Sequence, residues 1–143
     1  MFKLCVSMLV LFTLVSCKNA NKKSEDSTKL KSEKAILMDL ELGKTVYRAN
    51  CAACHQRNGM GIPRVHPPIV NTKNSEGDKN YLIETVLNGA RGEIKVEGEK
   101  YNNVMTNFKK LSDNEIAQVL NYIRNGFDNS AEVIIAEEVK ALR

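Results

Sequence analysis

Five consecutive residues, Cys51-Ala52-Ala53-Cys54-His55, restrict this chain more than any other part of its 143-residue sequence. Residues three apart lie on one face of a helical turn, so the two thiols face the same way and the imidazole follows directly after them. Both sulfurs can then form thioethers with neighbouring vinyl groups of one porphyrin while the histidine ligates its iron. Two other chemistries use paired cysteines. Structural zinc takes four ligands, and outside this motif His66 is the one further soft ligand once the N-terminal cysteines are accounted for. A thioredoxin-like dithiol sits near a βαβ pattern, which the chain does not carry. The spacing therefore predicts one covalently bound haem c on Cys51 and Cys54, with His55 as a ligand to its iron.

The start of the chain has a separate role. Lys3 is followed by an almost unbroken apolar run from Leu4 to Val15, closed by Ser16 and Cys17. That run is too short to span a bilayer, and a basic start, an apolar stretch and a small residue describe a secretory signal. Leu14-Val15-Ser16-Cys17 resembles the lipobox of bacterial lipoproteins, whose cysteine becomes the acylated first residue. The expected division is a signal peptide over 1–16, a lipid-anchored tether over 17–35 and one domain over 36–143. An uncleaved membrane start or an ordinary soluble signal are the alternatives. With Cys5 removed and Cys17 acylated, Cys51 and Cys54 are left and no disulfide framework is available.

Charge follows the same division. Lys18 to Lys34 holds six lysines against Glu25, Asp26 and Glu33, whereas from Ala35 onward fourteen Lys and Arg face fourteen Asp and Glu. The basic excess lies in a polar segment that reads as a disordered tether near an anionic lipid surface. A neutral domain argues against nucleic acid as a partner.

Periodicity supplies the elements. Ile36, Leu37, Leu40, Gly43 and Tyr47 predict an amphipathic helix running into Cys51. Gln56 to Gly77 reads as a long irregular loop, of a length that is usually functional. Asp78 is placed to cap a second helix with an apolar face of Tyr81, Leu82, Val86 and Ile83, ending near Gly89. Gly92 to Gly98 alternates briefly, as in one small hairpin or extended turn. Ser112 and Glu115 form a capping-box pattern before Ile116, Val119, Leu120 and Ile123, and Ala131 to Arg143 predicts a short last helix. The fold class is all-α: three to four helices and long loops, whose thin core is completed by a large apolar cofactor.

Over nearly all of residues 38–143 the chain resembles the class I cytochromes c. Gly43, Tyr47 and Cys51 stand at four-residue steps like the Gly and aromatic positions of that family's first helix, with Val119 and Tyr122 at the matching spacing on the last. The resemblance implies that the carbonyl of Pro67 accepts from His55 Nδ1, that Ile69 is an apolar haem contact, and that the distal methionine lies before the last long helix. That position is Met105; Met38, Met60 and His66 are the other candidates. Tyr101 to Met105 further resembles cytochrome domains fused to copper nitrite reductases, except that Thr106 replaces their proline, which implies a softer loop.

An iron with both axial positions filled changes by one electron without changing ligands. The expectation is thus an electron carrier and not an enzyme: a monomer, held by lipid to the bacterial cell envelope and facing the periplasm or extracytoplasmic space. Its implied partners are a quinol-oxidising donor and a terminal oxidase or nitrite reductase as acceptor. The alternatives are a permanently bound cytochrome subunit of a larger oxidoreductase, and a haem sensor with a labile sixth ligand.

Overall fold

The computed structural model describes residues 39–143. The signal segment, Cys17, the tether and the helical positions Ile36, Leu37 and Met38 lie outside the described residues. Helix α1, Leu40–Asn50, starts at Asp39, whose carboxylate accepts from the N–H of Leu42 at 2.9 Å. The N–H of Asp39 donates to Gln118 Oε1 at 2.7 Å, fixing the start of this helix to a segment 79 residues away. After Cys51 a single turn, α2 (Ala52–His55), carries the motif and stops at Gln56, where φ reaches 64°. The Tyr47 hydroxyl donates to the Gln56 carbonyl at 2.6 Å and holds that stop in place.

The long irregular loop expected from Gln56 to Gly77 contains one short helix, α3 (Lys73–Glu76), because the Thr72 hydroxyl accepts from Ser75 N–H and caps it. Helix α4, Lys79–Asn88, runs from its Asp78 cap to Gly89. Strands β1 (Ile94–Val96) and β2 (Glu99–Tyr101) pair antiparallel with Ile94 opposite Tyr101. Glu97 and Gly98 turn between them with φ of 47° and 87°, as a two-residue hairpin turn requires. Helix α5, Asp113–Gly126, has the full capping box between Ser112 and Glu115.

The last helix is shorter than its expected span: α6 covers Ala136–Ala141. Residues 131–135 are drawn out because α5 claims their backbone. Asn121 Oδ1 accepts from Ile134 N–H at 2.7 Å and its Nδ2 donates to Ile134 C=O at 2.8 Å. Arg124 Nε donates to the Glu132 carbonyl at 2.9 Å.

Helix α1 crosses α5 at Gly43, where a Cβ would come within 2.8 Å of Tyr122 Cβ and nearer still to the Gln118 carbonyl oxygen. Gln118 takes the crossing position expected of Val119, and Val119 turns to a cavity on the other side. The rings of Tyr47, Tyr122 and Phe127 seal the end of the crossing, with centroids 4.8–5.6 Å apart. The apolar face of α4 also differs from its expected set. Ile83, Val86 and Leu87 are buried, while Tyr81 is 44% exposed and Leu82 partly so. The reason is that α4 serves two surfaces: Ile83 and Leu87 enter the core, and Tyr81 and Leu82 line the cavity.

Candidate functional site

A cavity of about 260 Å³ lies among α2, the 65–69 loop, α4, the hairpin, the segment before α5 and α5 itself. Its walls are largely apolar, and Val86, Val119, Leu120 and Ile123 belong at once to it and to the core. Cys51, Cys54, His55, Pro67, Ile69 and Met105 all line it, so the structure gathers these residues from three separate stretches of chain around one space. Among the described residues, no Asp, Glu, Lys or Arg is in the lining.

His55 is oriented by a backbone carbonyl. Its Nδ1 lies 3.0 Å from the Pro67 carbonyl. A carbonyl can only accept, so Nδ1 carries the proton and Nε2 keeps its lone pair. Burial pulls the His55 pKa below its ordinary value, outweighing the upward effect of the Pro67 bond, with nearby His66 also lowering it. The imidazole is therefore neutral near pH 7, the state that binds a metal. Burial also pushes the Cys51 thiol up to about 12, helped by Cys54.

Met105 is fixed by backbone pairing. Its N–H donates to the Ala90 carbonyl at 2.9 Å, and its own carbonyl accepts from Ala90 N–H at 3.0 Å. On the other side of Thr106, Phe108 N–H donates to the Val86 carbonyl at 2.9 Å. Both flanks of Thr106 are thus tied to the end of α4, a restraint that does not depend on proline at that position. Met60 lies elsewhere, 57% exposed and outside the cavity lining, whereas His66 does line the cavity.

Two supporting residues were not singled out from the sequence. Gly61, at φ 66°, donates its N–H to the His55 carbonyl at 2.9 Å and packs on the backbone of His66 and Pro67, where a Cβ would come within 2.7 Å of the Pro67 carbonyl carbon. The run Asn58-Gly59-Met60-Gly61 signals a turn, but not what the turn touches. Asn129, 5% exposed, accepts from Asn71 N–H at 2.6 Å and donates to the Ile69 and Ile123 carbonyls at 3.1 and 2.6 Å. It anchors the segment following Pro67 to α5. A lone Asn after a helix carries no sequence signal for that role.

This donor set fits haem c: two thiols one turn apart, a neutral imidazole with Nε2 free, and a thioether from a second segment on the same apolar cavity. Comparison with known proteins agrees. The family model described as Cytochrome c matches residues 40–126. The chain is 44% identical over 110 residues to cytochrome c-552 of Thermus thermophilus, covering 71% of this chain and 83% of the relative. It is also 35% identical over 105 residues to the cytochrome c subunit of a quinone alcohol dehydrogenase from Gluconobacter oxydans, covering 71% of this chain and 22% of that subunit. With the CcoP subunit of a cbb3-type cytochrome c oxidase from Azospirillum brasilense the identity is 37% over 92 residues, covering 59% of this chain and 28% of the subunit.

Proposed function

Because this chain belongs to the cytochrome c family, as a class I monohaem c-type electron carrier, we propose that it works on a membrane outside the cytoplasm and that His55 and Met105 are the residues that would hold its iron. Bound in the cavity, the covalent haem c supplies a one-electron couple at its iron. The chain does the rest. Cys51 and Cys54 hold the group to α2, and His55 offers Nε2 because Pro67 occupies Nδ1. Met105 offers a thioether from the segment bridged to Ala90. Ile69 and the α4 and α5 walls would give the group largely apolar surroundings.

The observation that carries the ligand assignment is that His55 and Met105 line one cavity while Met60 does not. Met105→Ala should abolish the weak far-red charge-transfer band of the ferric protein, lower the midpoint potential and let carbon monoxide bind the reduced iron. Met60→Ala should do none of these. The reverse pattern overturns the assignment.

The membrane half of the reading rests on Leu14 to Cys17 and on the basic segment from Lys18 to Lys34. Several acyl chains on Cys17 would anchor the domain firmly, within reach of a respiratory donor and acceptor. Mass spectrometry of the mature N-terminus tests this, and an unmodified peptide beginning elsewhere removes the anchor. A second reading is favoured by the relatives that are subunits of a dehydrogenase and of an oxidase: this domain would then stay bound within a larger oxidoreductase. Copurification from detergent extracts separates the two, since a carrier dissociates and a subunit remains.

A further inference from the structure

Arg124 is the one charged side chain buried among the described residues, with 2% of its surface exposed. Its guanidinium makes no ion pair among those residues. Every acceptor it meets is a backbone carbonyl: Nε donates to Glu132 at 2.9 Å, and Nη1 donates to Ser75 at 3.1 Å and to Gly77 at 3.0 Å. Carbonyls satisfy the N–H groups but leave the net charge in place. Burial pulls the Arg124 pKa below its ordinary value, against Glu132, Glu76 and Glu138, which raise it. Arginine starts so far above neutrality that the group stays a cation. Holding the neighbouring chain does not require that charge. One turn earlier on the same face of α5, Asn121 holds both backbone groups of Ile134 with a neutral amide. A buried cation costs desolvation that a neutral donor avoids, so the charge itself calls for a role.

Its position supplies one. Ser75 and Ile123 both line the cofactor cavity. Arg124 follows Ile123 in α5 and bonds the Ser75 carbonyl, yet it is not in the lining itself. It therefore stands one layer behind the wall. We propose that Arg124 is a fixed positive charge that raises the reduction potential of the haem held in this cavity. A ferric group carries one positive charge more than a ferrous one, so a cation behind the wall disfavours the oxidised state, and the more so where little water intervenes. Among the described residues, no charged Asp, Glu, Lys or Arg in the lining offsets that field. Arg124 touches neither the cavity nor the residues that would hold the iron, so it sets the potential without being a catalytic residue. The proposal rests on the carrier reading and adds to it how this chain biases the couple towards the reduced state.

The test is the midpoint potential of the full-length holoprotein in detergent, measured by spectroelectrochemistry. Arg124→Gln should lower the equilibrium constant for reduction about tenfold, which is about 59 mV for one electron, with the far-red band of the ferric protein retained. Arg124→Met, an apolar replacement of the kind that buried charges often tolerate, should do the same and serves if the glutamine variant does not assemble. Arg124→Lys keeps the charge and loses the planar fork, so it should be less stable to heat and yet stay within about threefold of the wild-type constant. Buried charges are weakly screened: the shift in Arg124→Gln should survive about 1 M salt, whereas any shift in Lys95→Gln, exposed on the hairpin, should vanish there. A neutral variant with the wild-type potential overturns the proposal. So does a lysine variant that falls as far as the glutamine one, because the effect would then be structural. The carrier reading fails separately, if wild type shows no reversible one-electron couple at all.

Discussion

Two residues outside the cavity lining support it from behind, Gly61 at His55 and Pro67 and Asn129 at Ile69. Gly61 sits at a positive φ against the Pro67 backbone that receives the His55 proton, so Gly61→Ala introduces both backbone strain and a clash at that carbonyl. The strain alone is worth about 1–3 kcal/mol. A weakened Nδ1 bond makes the imidazole a poorer donor to iron, and the midpoint potential should shift upward in a voltammetric measurement. Asn129→Asp keeps the shape and the acceptor for Asn71 but removes both donors to Ile69 and Ile123. Two carbonyls lose their partner and a carboxylate is buried, so a loss of about 2 kcal/mol or more is expected by denaturant unfolding. Neither residue stood out in the sequence, because each acts through backbone atoms some distance along the chain.

The helices were legible to very different degrees. Asp78, Gly89 and the Ser112–Glu115 box bound α4 and α5 as expected, because capping is a local exchange between side chain and nearby backbone. Ser112→Ala should cost about 1 kcal/mol in thermal or denaturant unfolding. The start of α6 was not legible, because Asn121 competes for Ile134 from another helix. That final segment is also held by Lys79, which lies 2.6 Å from Glu138 and 3.6 Å from Glu132. Burial acts to raise the Glu138 pKa, but hydrogen bonds from Lys79 and Ile135 N–H bring it below the usual carboxylate range. A carboxylate depressed in the folded state stabilises above its unfolded pKa of about 4.3 and loses that contribution as the pH falls through the folded value. Unfolding curves should therefore separate wild type from Glu138→Gln at pH 7, by about 1 kcal/mol or less for a pair that solvent still reaches. They should converge once the pH has fallen through the folded value.

The molecule as a whole is organised around a space. Val86, Val119, Leu120 and Ile123 face the core on one side and the cavity on the other, so the wall of the site is the wall of the domain. A ligand that binds only the folded state adds directly to its stability. Protein made without haem attachment, for example as Cys51→Ala with Cys54→Ala, should unfold at a markedly lower temperature and with less cooperativity in calorimetry. The all-α class around a cofactor was foreseeable from this balance, since the helical stripes are too few to close a core among themselves. The hairpin is a minor addition that helps enclose the cavity through Ile94, Val96 and Tyr101.

Covalent chemistry and local capping are written in contiguous residues, which is why Cys51 to His55 alone point to haem c and Asp78 and Ser112 mark helix starts. Which atoms meet across the chain is a different matter. That Pro67 offers its carbonyl to Nδ1, that Ala90 pairs with Met105, that Gln118 takes the crossing with Gly43, and that α4 divides its side chains between core and cavity all depend on contacts between distant segments. Those contacts follow from how helices with limited apolar surface pack around one large cavity, and no local pattern encodes them.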